Sequence, residues 1–283
     1  MATGLLNDIK KCVTFIFVEK ENGEWLPNGT GFLVGVKVDE KPDRYAVYLV
    51  TAKHVLSDTD GNLLPEIAVR LNRLDGESEL IKISFKSLKI YLHSDPNVDI
   101  AVFDFLPDQK IFDIRYIADD LISDETIIKS HEIAEGDEVF FSGLFTSYIG
   151  QKRNQPIIRF GKVSLMSDEK IEWMENDKPA KNLDLYLMEC QSFGGNSGSP
   201  VFFQIPQNRK LKKLPQIKST LFLAGIMKGT FLNMNQLQVI NTTNVPFSME
   251  NVGIAAVVPA YKLKEILFSQ DAVEIRKTKL KPI

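Results

Sequence analysis

Three stretches of the chain hold the residue types that acyl transfer needs. His54 follows the apolar run Leu49-Val50-Thr51-Ala52-Lys53 and precedes Val55-Leu56, where a buried side chain is ordinarily aliphatic, so its ring needs a polar partner. Asp99 opens Asp99-Ile100-Ala101-Val102-Phe103, a carboxylate placed directly before an apolar strand. Ser197 lies in Gly194-Gly195-Asn196-Ser197-Gly198-Ser199-Pro200-Val201, a glycine-dense turn leading into another strand. A serine hydroxyl attacks well only when an imidazole takes its proton, and the imidazole needs a carboxylate to fix its tautomer and stabilise its charged form. The glycines let the backbone N–H groups of Gly195 and Ser197 converge on a developing oxyanion. Singly, each context is an ordinary structural feature: a partnered histidine, a turn aspartate, a tight turn. Their joint occurrence in the order His, Asp, Ser points to nucleophilic chemistry.

The elements that must hold these residues read as β-structure. Thr14 to Val18, Gly31 to Val38, Arg44 to Thr51, Glu66 to Leu71, Leu80 to Phe85 and Asp99 to Phe105 are rich in Val, Ile, Phe and Tyr and are broken by polar, Gly, Pro, Asn or Asp punctuation. A second series comprises Asp137 to Ser142, Ile157 to Leu165, Leu183 to Glu189, Pro200 to Gln204, Thr220 to Met227 and Val252 to Val258. The fold class is all-β, with two packed units of similar strand count. The expected division is residues 1–116 carrying His54 and Asp99, a linker over 117–135, residues 136–258 carrying Ser197, and a C-terminal helix and tail over 259–283. Pro259 followed by Tyr261, Leu263, Ile266 and Leu267 is the signal for that short helix. Gln204 to Lys218 and Phe231 to Asn251 are polar, unrepetitive and read as surface loops.

Composition narrows the function classes. With 283 residues, 44% hydrophobic and 25% charged, the chain resembles folded proteins rather than disordered or collagen-like ones. A formal net charge of −3 supplies no global positive field, so neither nucleic acid nor a membrane is an expected partner. Arg209, Lys210, Lys212 and Lys213 form a local basic run that reads as a solvated face. Met1 to Glu24 carries no secretory pattern, which sets the expected compartment as the cytoplasm. Cys12 and Cys190 stand apart and read as buried thiols; His93 and His131 sit in polar contexts and read as solvated. Asp95 is a rival to Asp99, but Pro96 and a turn follow it instead of a strand. There is no HExxH, phosphate loop or dinucleotide fingerprint, so neither metal nor cofactor is expected.

The chain resembles the trypsin-like (chymotrypsin-fold) serine proteases, and within them the HtrA-type and glutamyl-endopeptidase branches. The matching strings are Gly29-Thr30-Gly31-Phe32-Leu33-Val34, Thr51-Ala52-Lys53-His54-Val55, Asp99-Ile100-Ala101-Val102, Gly136-Asp137-Glu138-Val139, Gly195-Asn196-Ser197-Gly198-Ser199-Pro200-Val201, Ala224-Gly225-Ile226 and Gly253-Ile254-Ala255. The resemblance implies two packed six-stranded antiparallel β-barrels with a cleft between them, and peptide hydrolysis through an acyl-enzyme. It implies that His54 is general base and then acid, Asp99 its orienter, Ser197 the nucleophile, and Gly195 and Ser197 the oxyanion hole. Lys228, Gly229 and Thr230 would form the edge that pairs with a peptide substrate, and Gln191, Thr230 and Gly253 would line the primary specificity pocket.

Three departures from the family pattern matter. Asn196 stands where digestive relatives carry the aspartate that pairs with a cleaved N-terminus, so any gating is expected from loop ordering, an activating partner or a homo-oligomer. Met227 and Lys228 replace the histidine of glutamyl endopeptidases, leaving Lys228 as the group that would attract an acidic side chain. No PDZ domain fits after Phe268. The alternative reading is a protease-fold module that binds or senses a partner without cleaving it.

Overall fold

The computed structural model of the chain describes residues 2–38, 44–174, 179–206, 209, 221–236 and 247–279. Helix α1 (Ala2–Cys12) leads into strand β1 (Val13–Glu19), and β2 (Trp25–Lys37), β3 (Tyr45–Thr51), β4 (Glu66–Asn72), β5 (Ser78–Ser84), β6 (Ile90–Leu92), β7 (Ala101–Asp104) and β8 (Ile117–Ala118) follow. Seven of these form a sheet in the order β5-β4-β1-β2-β3-β7-β6, all neighbours antiparallel, with β8 parallel on β2. The expected first barrel is therefore an open sheet with more than six strands. Strand β6 has three residues, all paired with β7, and offers β5 no ladder of useful length. Side chains fill the gap instead: Ile81, Ile83 and Phe85 from one end of the sheet share a core with Ile90, Phe103 and Phe105 from the other. The rings of Phe85 and Phe103 meet edge to face, 5.4 Å apart.

The second unit closes. Its strands β9 (Glu138–Gly143) and β10 (Ile157–Met166), then β13 (Tyr186–Glu189), β14 (Pro200–Gln204), β15 (Leu221–Gln236) and β16 (Phe247–Pro259), form a barrel in the order β10-β13-β16-β15-β14-β9, β9 pairing back to β10. Between β10 and β13, β11 (Ile171–Trp173) and β12 (Lys181–Leu183) pair only with each other. Closure gives every barrel strand two neighbours, although β15 runs on past the end of its pairing with β14. The barrel encloses Val139, Phe141, Met188, Phe203, Ala224 and Val257, alternate positions whose neighbours face outward.

A further core joins the two units. Phe32, Val34, Tyr48 and Val50 from the back of the sheet pack with Phe140, Phe202, Ile226 and Val258 from the barrel, and helix α3 (Ala260–Leu267) adds Leu263, Ile266 and Leu267. Pro259 occupies the N-cap of α3 instead of its first turn. The tail beyond it forms a second helix α4 (Gln270–Lys279), whose buried Arg276 bonds Tyr48 Oη at 3.2 Å and the Leu267 carbonyl at 3.0 Å. The linker region is likewise structured, with helix α2 (Glu125–Ser130) capped by the Asp124 carboxylate on Ile127 N–H at 3.0 Å.

Much of the expected loop Phe231 to Asn251 is ladder: Leu232 opposes Asn251 and Gln236 opposes Phe247, so the β15–β16 hairpin is longer than its apolar run. The rest of that loop, and most of Gln204 to Lys218 including Lys210, Lys212 and Lys213, lie outside the described residues. Arg209 is described and pairs with Asp137. No helix among the described residues is long and apolar enough to cross a membrane.

Candidate active site

Pairing of β3 with β7 sets the first half of the site. Thr51 opposes Ala101, so the residues just past the end of β3 and just before the start of β7 arrive at the same end of the sheet. His54 is held there in a single 3-10 turn, Lys53–Leu56, whose Val55 and Leu56 are buried and act as its anchor. Asp99 is 5% exposed. Its Oδ1 accepts the backbone N–H of His54 at 3.0 Å, and its Oδ2 lies 2.6 Å from His54 Nδ1. An ionised carboxylate only accepts, so Nδ1 carries the hydrogen and Nε2 is left as the basic nitrogen. Burial pushes the Asp99 carboxyl up, but His54 and the ammonium of Lys228 outweigh it and hold the group well below the usual carboxylate range. Asp95, the rival carboxylate, caps the N–H of Asn97 at 2.9 Å in its own turn.

The serine turn is braced from within and docked against the sheet. The Asn196 amide is buried; its Oδ1 accepts Phe193 N–H at 2.8 Å and its Nδ2 donates to the Leu144 carbonyl at 2.6 Å. Asn196 N–H also closes a turn onto the Phe193 carbonyl at 3.0 Å, with Gly195 at φ +92° in the third position, as a type II turn requires. The Gly194 carbonyl faces Thr146 Oγ1 at 3.5 Å, and peptide planarity turns the N–H of Gly195 the opposite way. Among the described residues, the N–H groups of Gly195 and Ser197 meet no acceptor. Thr30 clamps the turn: its hydroxyl donates to the Gly195 carbonyl at 2.8 Å and accepts Leu144 N–H at 2.9 Å, while its N–H donates to the Ser197 carbonyl at 2.9 Å. Gly198, at φ +84°, packs so close that a Cβ would stand 2.1 Å from the Thr30 carbonyl oxygen and 2.4 Å from Thr51 Oγ1.

Lys228 joins the two halves. Strand β15 loses its β14 partner after Ile226; Lys228 sits at a bulge in the pairing with β16, and Gly229 and Thr230 pair with β16 on one side only. The Ser197 hydroxyl donates to the Lys228 carbonyl at 3.1 Å, and the Lys228 ammonium, 5% exposed, lies 2.9 Å from Asp99 Oδ2 and over the Trp173 ring. The side chain thus points into the protein, away from any approaching acidic substrate group. A lysine in an apolar run was the sequence signal for this inward placement.

At the expected pocket, Ser192, Thr230 and Gly253 are brought together by a residue that sequence reasoning missed. Asn251 Nδ2 donates to the Ser192 carbonyl at 2.7 Å, and its Oδ1 accepts Gly253 N–H at 2.8 Å and the Thr230 hydroxyl at 2.9 Å. These bonds are made without Gln191, which is exposed. The Ser192 hydroxyl is buried and, among the described residues, has no hydrogen-bond partner. His93 and His131, expected in solvent, are not there: the His93 ring is 9% exposed and bonds Glu265, and His131 is buried against Phe222. Each has a neighbour close in sequence, Asp95 N–H on His93 and the Ile127 carbonyl beside His131, but Glu265 and Phe222 come from distant segments that local polarity does not reveal. Among the described residues no group of His, Cys, Asp and Glu is arranged to hold a metal.

A family model described as a trypsin-like peptidase domain matches residues 29–205. No curated protein sequence matches the chain. Similar solved structures include the active form of the Rv3671c protease from M. tuberculosis, at 14% identity and TM-score 0.49 over 93% of this chain and 85% of that one. An inactive form of the same protease gives 15% identity and TM-score 0.46, covering 93% of both chains. The family match takes in the turn of His54, Asp99 at its carboxylate partner and the whole serine turn, and with more than half of the sequence inside it the chain belongs to the trypsin-like peptidase domain family.

Proposed function

We propose that the protein is a serine endopeptidase in which residues 1–116 supply the base and its orienter, residues 136–258 supply the nucleophile, and 117–135 link them. The observation that carries this reading is the buried Asp99, bonded through one oxygen to the His54 backbone and through the other to its Nδ1. His54 Nε2 takes the Ser197 proton as Oγ attacks the scissile carbonyl carbon. The oxyanion is received by the free N–H groups of Gly195 and Ser197. Collapse of the tetrahedral species breaks the C–N bond, His54 returns the proton to the leaving amine, and an ester on Ser197 remains. Water then attacks that ester, giving its proton to His54, and breakdown restores the hydroxyl and the free acid. The first step requires the Ser197 hydroxyl to leave the Lys228 carbonyl for Nε2.

Substrate is a peptide or protein, held on the one-sided edge from Lys228 to Thr230 as an added strand. A neutral, polar pocket around Ser192, Thr230, Asn251 and Gly253 suits a small or polar side chain, with Gln191 at its margin. The motif strings support placement near the HtrA-type and glutamyl-endopeptidase branches, and the cytoplasm is the proposed compartment.

A second reading, a partner-gated or non-cleaving module, is favoured by one observation: the serine hydroxyl is bonded to a backbone carbonyl. Labelling with a fluorophosphonate probe separates the two. An adduct on Ser197 that disappears in Ser197→Ala and His54→Ala supports the peptidase; no adduct in wild type under any condition would leave the gated or binding reading.

A further inference from the structure

We propose that Lys228 is a positioning residue for the His54–Asp99 pair, its ammonium sharing the carboxylate oxygen that His54 uses and so limiting how strongly the imidazole holds a proton. This rests on the peptidase reading for its purpose but not for its test. Two donors converge on Asp99 Oδ2, His54 Nδ1 at 2.6 Å and Lys228 Nζ at 2.9 Å. Both lysine and aspartate side chains are nearly inaccessible, at 5% and 6%. A buried ammonium is costly unless paired, and this one is held by the carboxylate below and the indole of Trp173 at 5.2 Å.

The electrical consequence follows from counting charge. An isolated Asp99 would present a full negative charge to the imidazolium that forms when His54 takes the Ser197 proton. With Lys228 beside it the carboxylate is already neutralised, and protonating His54 adds a net positive charge to a poorly hydrated corner. The pair therefore stabilises the imidazolium less than a lone carboxylate would. Lys228 also touches the nucleophile through its own backbone, since its carbonyl accepts the Ser197 hydroxyl. One residue thus links the serine position, the carboxylate charge and the strand edge proposed to hold substrate.

Other charges around the site are further off or engaged. From the His54 turn, Lys53 donates to the Pro96 carbonyl at 2.6 Å; from the turn before Asp99, Asp95 caps Asn97 at 2.9 Å. Across the small cleft beside them stand Lys170 and Asp184 from the ends of the β11–β12 pair, Asp184 paired with Lys262 at 3.5 Å. None of these reaches the His54 ring or the Asp99 carboxylate by a described hydrogen bond.

The test titrates His54 by imidazole NMR in wild type, Lys228→Met, Lys228→Ser and Lys228→Arg, assigning its signal by its loss in His54→Ala. In parallel, the pH profile of fluorophosphonate labelling is measured on the same proteins. In the neutral variants the midpoint of the imidazole titration is expected to rise by on the order of one pH unit or more. The acid limb of labelling should rise with it, while Lys228→Arg stays near wild type. If Lys228→Met does not fold, the smaller Lys228→Ser carries the same comparison. A folded neutral variant with the wild-type midpoint overturns the proposal. A wild type that never labels but shows the NMR shift overturns the peptidase reading and leaves the role of Lys228 standing.

Discussion

The two β units solve the same packing problem in different ways. The barrel joins its strands by hydrogen bonds all the way round, whereas the sheet stops at β5 and β6 and bridges the gap with aromatic and aliphatic side chains. A hydrogen-bonded closure resists opening at every strand; a side-chain closure depends on packing alone. The groups proposed to do the chemistry divide along the same line. The sheet contributes His54 and Asp99 from the end of the β3–β7 pair, and the barrel contributes a serine turn plus the lysine that neutralises the aspartate. The site is therefore a seam, and its electrostatics belong to neither unit.

The strongest way to break this comparison is to remove the group both units share. Asp99→Asn should slow labelling of Ser197 by about 10⁴-fold. It should also cost about 3–5 kcal/mol of stability, because the barrel's buried ammonium loses its partner. Adding Lys228→Met to that variant should restore part of the stability and none of the rate, as read by urea unfolding and labelling kinetics. An Asp99→Asn protein as stable as wild type would show that the seam is not held by this charge pair.

Next in size is Gly198→Ala, which places a Cβ against Thr30 and Thr51 at a backbone angle that L side chains resist. A loss of about 2–4 kcal/mol is expected, with slower labelling as the serine turn lifts from the sheet. Unchanged unfolding and kinetics would mean that the turn is not seated as described.

Acid should act through the same pair. The Asp99 carboxyl is held below its ordinary value in the folded protein, so the unfolded chain binds the proton first. Its stabilisation is present above about pH 4 and lost as pH falls further. The urea midpoint of wild type should drop more steeply than that of Asp99→Asn over this range; parallel curves would remove Asp99 from the account.

The mildest probe sharpens the contrast between the units. Burial pushes the Cys12 thiol up to about 12 and, with a smaller opposing influence from Arg159, the Cys190 thiol up to about 11. Neither should react with iodoacetamide in the folded state. In mild urea Cys12, beside the open sheet, is expected to be alkylated before Cys190 in the barrel, with mass spectrometry reading the order. The reverse order would show that side-chain closure is the firmer of the two.

Local pattern carried much of this protein. The alternation and β-branched content of β1 to β4 mark strands, and the glycines around Ser197 mark a turn, because both follow from backbone preferences of neighbouring residues. Asp99 stands out from Asp95 by the strand that follows it. Sequence alone thus determined the strand-rich architecture and the serine turn, and it singled out the histidine and carboxylate that the fold brings into contact. Tertiary structure decided the rest: that the first unit stays open, that β15 and β16 extend past their apolar runs, that Asn251 ties Ser192 to Thr230, and that Lys228 turns inward onto Asp99. Each depends on partners from another segment, brought near by register and packing, and a side chain's direction and charge environment are set by those neighbours rather than by the residues beside it in the chain.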